Sequence, residues 1–163
     1  MSQWRAELPE VERASTELIK RVLFLASALS SVMRREVAEL GLTTAEFDVL
    51  LALRRSGAPY RMKPNQLARS LMLSTGGTTN VTHRLVARGL VERESDPADA
   101  RSTWLRLTPA GAELAERGVL ANSDAHDVLF ADTPPEVVQA AAAALRELFA
   151  TSPKLVGEGW GGN

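Results

Sequence analysis

The sequence predicts a mainly α-helical chain with a small β-hairpin wing. Three observations carry this. Aromatic residues are only 5% of the 163, while alanine and leucine are plentiful, a composition suited to helix packing. Apolar residues recur at helical spacing towards both ends of the chain. In the middle, two short runs with strand character flank a polar turn. At 45% hydrophobic the chain has ample material for a core. Its length suits one domain, or one domain with an oligomerisation arm.

The first helix is read from about Glu10 to Leu40, with Leu18, Val22, Leu25, Leu29 and Val32 at helical spacing and Gly41 as its stop. Thr43 and Glu46 form a Thr-x-x-Glu capping pattern that opens a second helix. Phe47, Leu50, Leu51 and Arg54 share one side of it, and Gly57 and Pro59 end it. Pro64 suits the first position of a short third helix through Leu67, Ala68, Leu71 and Met72. After the break Met72-Leu73-Ser74, Ser74 caps a fourth helix that ends at Arg88-Gly89. Leu90–Arg93 and Thr103–Leu107 read as two strands, joined by a polar turn over 94–102. Thr108-Pro109 restarts helix, and Thr133-Pro134-Pro135-Glu136 repeats the capping pattern. Val137, Val138, Ala141, Leu145, Leu148 and Phe149 form the apolar face of the last helix, and Ser152-Pro153 ends it. Residues 153–163 read as a loose tail. Helix, tight turn, helix and hairpin together make a winged helix-turn-helix, whose helix fits a DNA major groove and whose loop reaches the adjacent minor groove.

Composition excludes several classes. With no cysteine there are no disulfides, thiolate metal sites, cysteine nucleophiles or thiol sensors. The start of the chain lacks the basic and apolar regions of a signal peptide, and Val22–Ala26 is too short to span a bilayer. A soluble cytoplasmic protein with no membrane partner is expected. The net charge of −1 hides an asymmetry. Between Arg54 and Arg106 there are ten bases against four acids, a net of +6, while the flanks hold nine bases against sixteen acids, −7. A basic middle between acidic ends is the footprint of a polyanion-binding surface, although a solvated charged face has the same composition.

The fourth helix is the most informative element. At about 100° per residue, Thr78, Val81, Leu85 and Val86 gather on its packed side. The opposite side carries Gly76, Asn80, His83 and Ala87, with Thr79 and Arg84 nearby. Asn suits bidentate contact with adenine and Arg with guanine. Ser74, Thr75 and the first backbone N–H groups suit phosphate. Gly76-Gly77 costs about 1 kcal/mol per glycine relative to alanine. Either close approach to DNA compensates this, or glycine near a helix start is simply cheap. His83 is a candidate base-edge or phosphate donor. No metal is expected, because His126 is the only other histidine.

Asp96-Pro97-Ala98-Asp99-Ala100-Arg101, followed by Leu105-Arg106-Leu107-Thr108-Pro109-Ala110-Gly111, resembles the wing signature of the MarR family of transcriptional regulators. Gly41-Leu42-Thr43, Glu46-Phe47-Asp48-Val49-Leu50, Gln66-Leu67-Ala68, Ser74, Thr79-Asn80, Arg84-Leu85 and Gly89-Leu90-Val91-Glu92-Arg93 extend the resemblance over roughly residues 10–150. It implies an obligate homodimer built from the first and last helices, with two winged lobes on a pseudo-palindrome in double-stranded DNA. The apolar stripes of the terminal helices, larger than a small lobe needs, agree with a twofold dimer. The expected organisation is a helical dimerisation arm (1–40), a winged helix-turn-helix domain (41–110), C-terminal dimerisation helices (111–152) and a tail. The resemblance also implies that Asp99 holds Arg101 and that Arg101 enters the minor groove. Without it, the pair reads as a surface ion pair in a turn.

Within the family the sequence is similar to the branch that senses urate or related small anions. Trp4, Asp48 and Arg93 match three of that branch's ligand positions, while Val81 stands where the branch has an arginine. Trp4 also reads as a staple over the dimer core, and Asp48 as an exposed helix residue. The expected effector is a small organic anion or aromatic acid between dimer arm and lobe, near Trp4, Phe47, Asp48, Leu51 and Arg93. Arg93 would pair with its charge and Trp4 would stack on it.

No nucleophile–base pair, carboxylate pair or cofactor motif is visible, so neither an enzyme nor a cofactor is expected. The alternative is a winged-helix protein–protein adaptor without DNA binding. An adaptor needs an apolar outer face on the fourth helix and no basic excess, and this sequence has the reverse. The expected function is therefore a sequence-specific regulator, a repressor, acting as a homodimer whose DNA affinity a small ligand modulates.

Overall fold

Apolar residues at helical spacing turn Ala14–Glu39 into one helix, α1, in the computed structural model of the chain, which describes residues 7, 13–71, 75–97 and 99–152. Its end is a Schellman turn. Leu42 N–H donates to Val37 O (3.1 Å), Gly41 N–H donates to Ala38 O (2.9 Å), and Gly41 has φ +68°. The same pair of bonds closes the helix Thr75–Ala87 at Gly89, with Leu90 N–H on Leu85 O and Gly89 N–H on Val86 O. The capping box that opens α2 (Thr44–Arg55) is complete. Thr43 N–H donates to Glu46 Oε2 (2.8 Å), and Glu46 N–H donates to Thr43 Oγ1 (3.2 Å).

The chain continues through β1 (Arg61–Met62), α3 (Pro64–Ser70), α4 (Thr75–Ala87), β2 (Val91–Asp96), β3 (Asp99–Leu107), α5 (Pro109–Leu129) and α6 (Pro135–Thr151). Three expectations need correction. First, the sheet has three antiparallel strands in the order β1-β3-β2, not two. β1 is two residues long, too short for an alternation signal. It exists because Arg61 pairs with Arg106 and Met62 with Leu105. Second, the hairpin consumes most of the residues read as a turn. Glu94 pairs with Trp104, Ser95 with Thr103 and Asp96 with Asp99, across a bulge at Ser95/Asp96. Cross-strand pairing overrides the turn preference of these polar residues. Third, Thr133 does not cap α6, whose N-cap is Pro134 without a side-chain bond. Thr133 N–H instead donates to Phe130 O (2.8 Å), in the turn that closes α5.

The core gathers Phe47, Val49, Leu50 and Leu53 of α2, Leu67 of α3, Leu85 of α4, Val91, Leu105 and Leu107 of the sheet, and Ala115 of α5. α1 joins it near its C-terminal end, through Val37 with Met33 packed alongside, while α6 contributes no residue to it. Val37 is the one buried residue of α1, and no residue of α6 is buried. No helix among the described residues is long and apolar enough to cross a membrane.

Candidate nucleic-acid interface

α4 is held by a small, closely packed inner face. Thr78, Val81, Thr82 and Leu85 are all buried. Thr82 satisfies its buried hydroxyl by donating to Thr79 O (3.0 Å). The packing orients the remaining residues outward, so Gly76, Thr79, Asn80, His83, Arg84 and Ala87 are exposed on the opposite side. This matches the face assigned from sequence, with Thr82 added to the packed side. Trp4 and Ser74 lie outside the described residues, as do the side chains of Thr75 and Arg101.

Arg84 is placed differently from a plain surface cation. Its Nε donates to Glu46 Oε1 (3.0 Å) while the side chain remains 46% exposed. Arg88 lies alongside, with Nη1 donating to Gly41 O (3.0 Å) and 3.9 Å from Glu46 Oε2. Glu46 itself is buried. Burial pushes its carboxyl up, but the Thr43 N–H, Arg84 and the Thr43 hydroxyl together outweigh it and hold the group below its usual range. Sequence reading found Glu46 only as a helix cap. Its second partner is 38 residues away, beyond the reach of any local pattern.

On the outer face of the sheet, charges are neutralised across the strands. Arg106 pairs with both Glu92 and Glu94. Arg61 pairs with Glu94 (3.4 Å) and lies 4.7 Å over the Trp104 ring. Lys63 Nζ is 3.0 Å from the buried Asp96 carboxylate and 5.1 Å from the same ring. Glu92, Glu94 and Asp96 are therefore occupied inside the sheet. Asp99 opens β3 beside Asp96 and is exposed.

The expected ligand residues divide between two places. Phe47 is a core side chain, 1% exposed, so it offers a ligand no surface. Asp48 and Leu51, one turn apart on α2, are half-buried. Burial raises the Asp48 carboxyl above its usual range, against the opposing pull of Arg55. Arg93 instead lines a cleft of about 160 Å³ between the start of α3, α4 and β2, with Pro64, Thr78, Thr79, Thr82 and His83. A residue assigned to ligand thus shares a cleft with two assigned to DNA, Thr79 and His83.

A family model described as the MarR family matches residues 40–102. The HTH-type transcriptional regulator PecS of Dickeya dadantii is 30% identical over 119 residues, which span 73% of this chain and 72% of PecS. The apo form of wild-type MarR from Escherichia coli superposes with a TM-score of 0.73 at 25% identity, over 80% of this chain and 95% of that one. A mutant of MarR complexed with operator DNA shares the fold, with a TM-score of 0.65 at 24% identity over 89% and 96% of the two chains. These regulators are not enzymes. The winged arrangement of α3, α4 and the hairpin, together with the identity to PecS over most of both chains, settles the placement: the chain belongs to the MarR family of winged-helix transcriptional regulators.

Proposed function

We propose that the chain is a cytoplasmic repressor that binds a pseudo-palindromic operator in duplex DNA as a homodimer, and that a small organic anion weakens this binding. The observation that carries the reading is the outward face of α4. Thr79, Asn80, His83 and Arg84 stand exposed on a helix whose other side is locked into the core. Such a polar face, rich in hydrogen-bond donors, suits base edges in a major groove and is unsuited to an apolar protein partner. A MarR mutant of the same fold was solved in complex with operator DNA, which supports DNA as the partner.

Dimerisation is supported by apolar surface that one chain leaves in water. Phe24 is 82% exposed and Val128 76%, with Leu23 and Leu120 each at 64%. Phe24, Leu25, Leu129 and Phe130 line an open groove of about 520 Å³ between α1 and the end of α5. Burying side chains of this size contributes roughly 1.5–3 kcal/mol each. A second copy with the same faces supplies a self-complementary cover.

The effector reading rests on Arg93. A carboxylate in its cleft gains a charged partner beside three threonines and His83. Thr79 and His83 belong to that cleft and to the outer face of α4, so an anion there competes with the DNA-bound arrangement. A coupling of about 1–3 kcal/mol is typical of such linkage. The test of the whole reading is selection from randomised duplexes with the purified protein. Enrichment of a pseudo-palindrome is expected, and a pool that stays random contradicts it.

A further inference from the structure

Glu46 has two duties that usually belong to different residues. Oε2 accepts from Thr43 N–H (2.8 Å) and the Thr43 hydroxyl (2.9 Å), so it closes the cap of α2. Oε1 accepts from Arg84 Nε (3.0 Å), so it also grips the exposed face of α4. The carboxylate side chain is 6% exposed, against 46% for Arg84. A buried carboxylate anchored on a helix cap is a fixed point, whereas a long arginine alone samples many rotamers. The bond takes Nε, at the side of the guanidinium, and leaves the two Nη groups outside this contact. Arg88 reinforces the arrangement from one turn further on, bound to Gly41 O and near Glu46 Oε2.

We infer that Glu46 is a specificity-positioning residue of the DNA-binding helix: it holds Arg84 in one orientation and cancels its charge, so that Arg84 reads a base edge instead of attracting phosphate. The inference rests on the DNA-binding function proposed above. Its physical content is a division of labour. A cation paired with a buried carboxylate adds little to the long-range attraction of the DNA backbone. Its remaining donors still distinguish one base from another, because that discrimination depends on direction. Removing the negative charge releases a mobile guanidinium. Such a group binds any phosphate and displaces counterions as it does so.

The experiment compares wild type with Glu46→Gln on two duplexes: one carrying the sequence recovered by selection, and one of equal length with that sequence scrambled. Affinity is measured across a salt series. Gln retains an acceptor for Thr43 N–H, so the cap survives. Expected are tighter binding to the scrambled duplex, a loss of selectivity of about tenfold, and a log–log salt slope steeper by up to about 0.9. An equal change on both duplexes with an unchanged slope, as loss of stability alone would give, overturns the inference.

Arg84→Ala tests the same point if Glu46→Gln does not fold. Its expected result is lost selectivity with a slope change well below the ~0.9 of one phosphate contact. A uniform loss of affinity with a full change of slope overturns the inference. In the Arg84→Ala background, Glu46→Gln is expected to alter selectivity no further. Wild type that binds both duplexes alike contradicts the DNA-binding reading itself and removes the inference with it. Wild type that discriminates while the variants keep its selectivity and slope overturns the inference alone.

Discussion

Gly118 of α5 lies directly over the ring of Phe47 on α2, so close that a Cβ on Gly118 would stand 2.9 Å from Phe47 Cζ. Alanine there is expected to destabilise the fold, because a fully buried ring has nowhere to move. Overpacking costs about 1–3 kcal/mol, against the ~1 kcal/mol that Gly-to-Ala contributes in a helix interior. Thermal unfolding of Gly118→Ala checks this, and a melting temperature at or above wild type contradicts it.

Gly76 provides the contrast. Nothing lies within 4 Å of the Cβ it lacks, so Gly76→Ala is expected to raise stability by up to about 1 kcal/mol. If its backbone approaches DNA, the same change weakens binding to the selected duplex. Higher stability with unchanged affinity assigns Gly76 to a helix start where glycine is merely tolerated.

The two acids of α2 are expected to have opposite pH signatures. Glu46 is held below its usual range, so its stabilising contribution is present above the ordinary carboxylate range and is lost as pH falls through the lowered value. Asp48 is pushed up by burial, so its favourable contribution belongs to the protonated form and is lost as pH rises through the raised value. Asp48→Asn is therefore expected to stabilise the fold at neutral pH, and Glu46→Gln to flatten the acid limb of the stability profile. Denaturant melts across the acid range measure both. Identical profiles for wild type and Glu46→Gln contradict the assignment.

These residues also show which parts of the molecule are legible in a sequence. Helix ends are local chemistry. The Thr43–Glu46 capping box and the Schellman stops at Gly41 and Gly89 stand where their residue types place them. The outward face of α4 follows from helical periodicity alone. What was missed is held by distant partners. β1 forms only against the distant β3, where Arg61 pairs with Arg106 and Met62 with Leu105. The strands extend through Glu94–Asp96 because β3 is there to pair with them. Arg84 meets Glu46 only once α4 packs on α2. Phe47 and Arg93 belong to different surroundings because Phe47 turns under α5 while Arg93 turns towards α4.

The cleft at Arg93 makes a prediction about regulation. Arg93→Ala is expected to keep the fold, since the side chain is exposed, and to lose release from DNA by salicylate or urate. Competition titrations on DNA-bound protein, with affinity also measured without effector, separate the two effects. Equal release from wild type and variant places the effector elsewhere.

Phe24→Glu is expected to shift the protein from dimer to monomer, because it puts a charge in the middle of the apolar faces of α1 and α5. Sedimentation at micromolar concentration reads the change. A wild type that sediments as a monomer contradicts the assembly.

The most direct measurement is the salt dependence of wild-type affinity for the selected duplex, with stoichiometry determined on the same samples. Two chains per duplex are expected, with log affinity falling linearly in log salt by about 0.9 for each phosphate contacted and clear preference over the scrambled duplex at every salt concentration. Binding that is independent of salt, or equal on the two duplexes, contradicts the central claim that this chain is a dimeric, sequence-specific DNA-binding regulator.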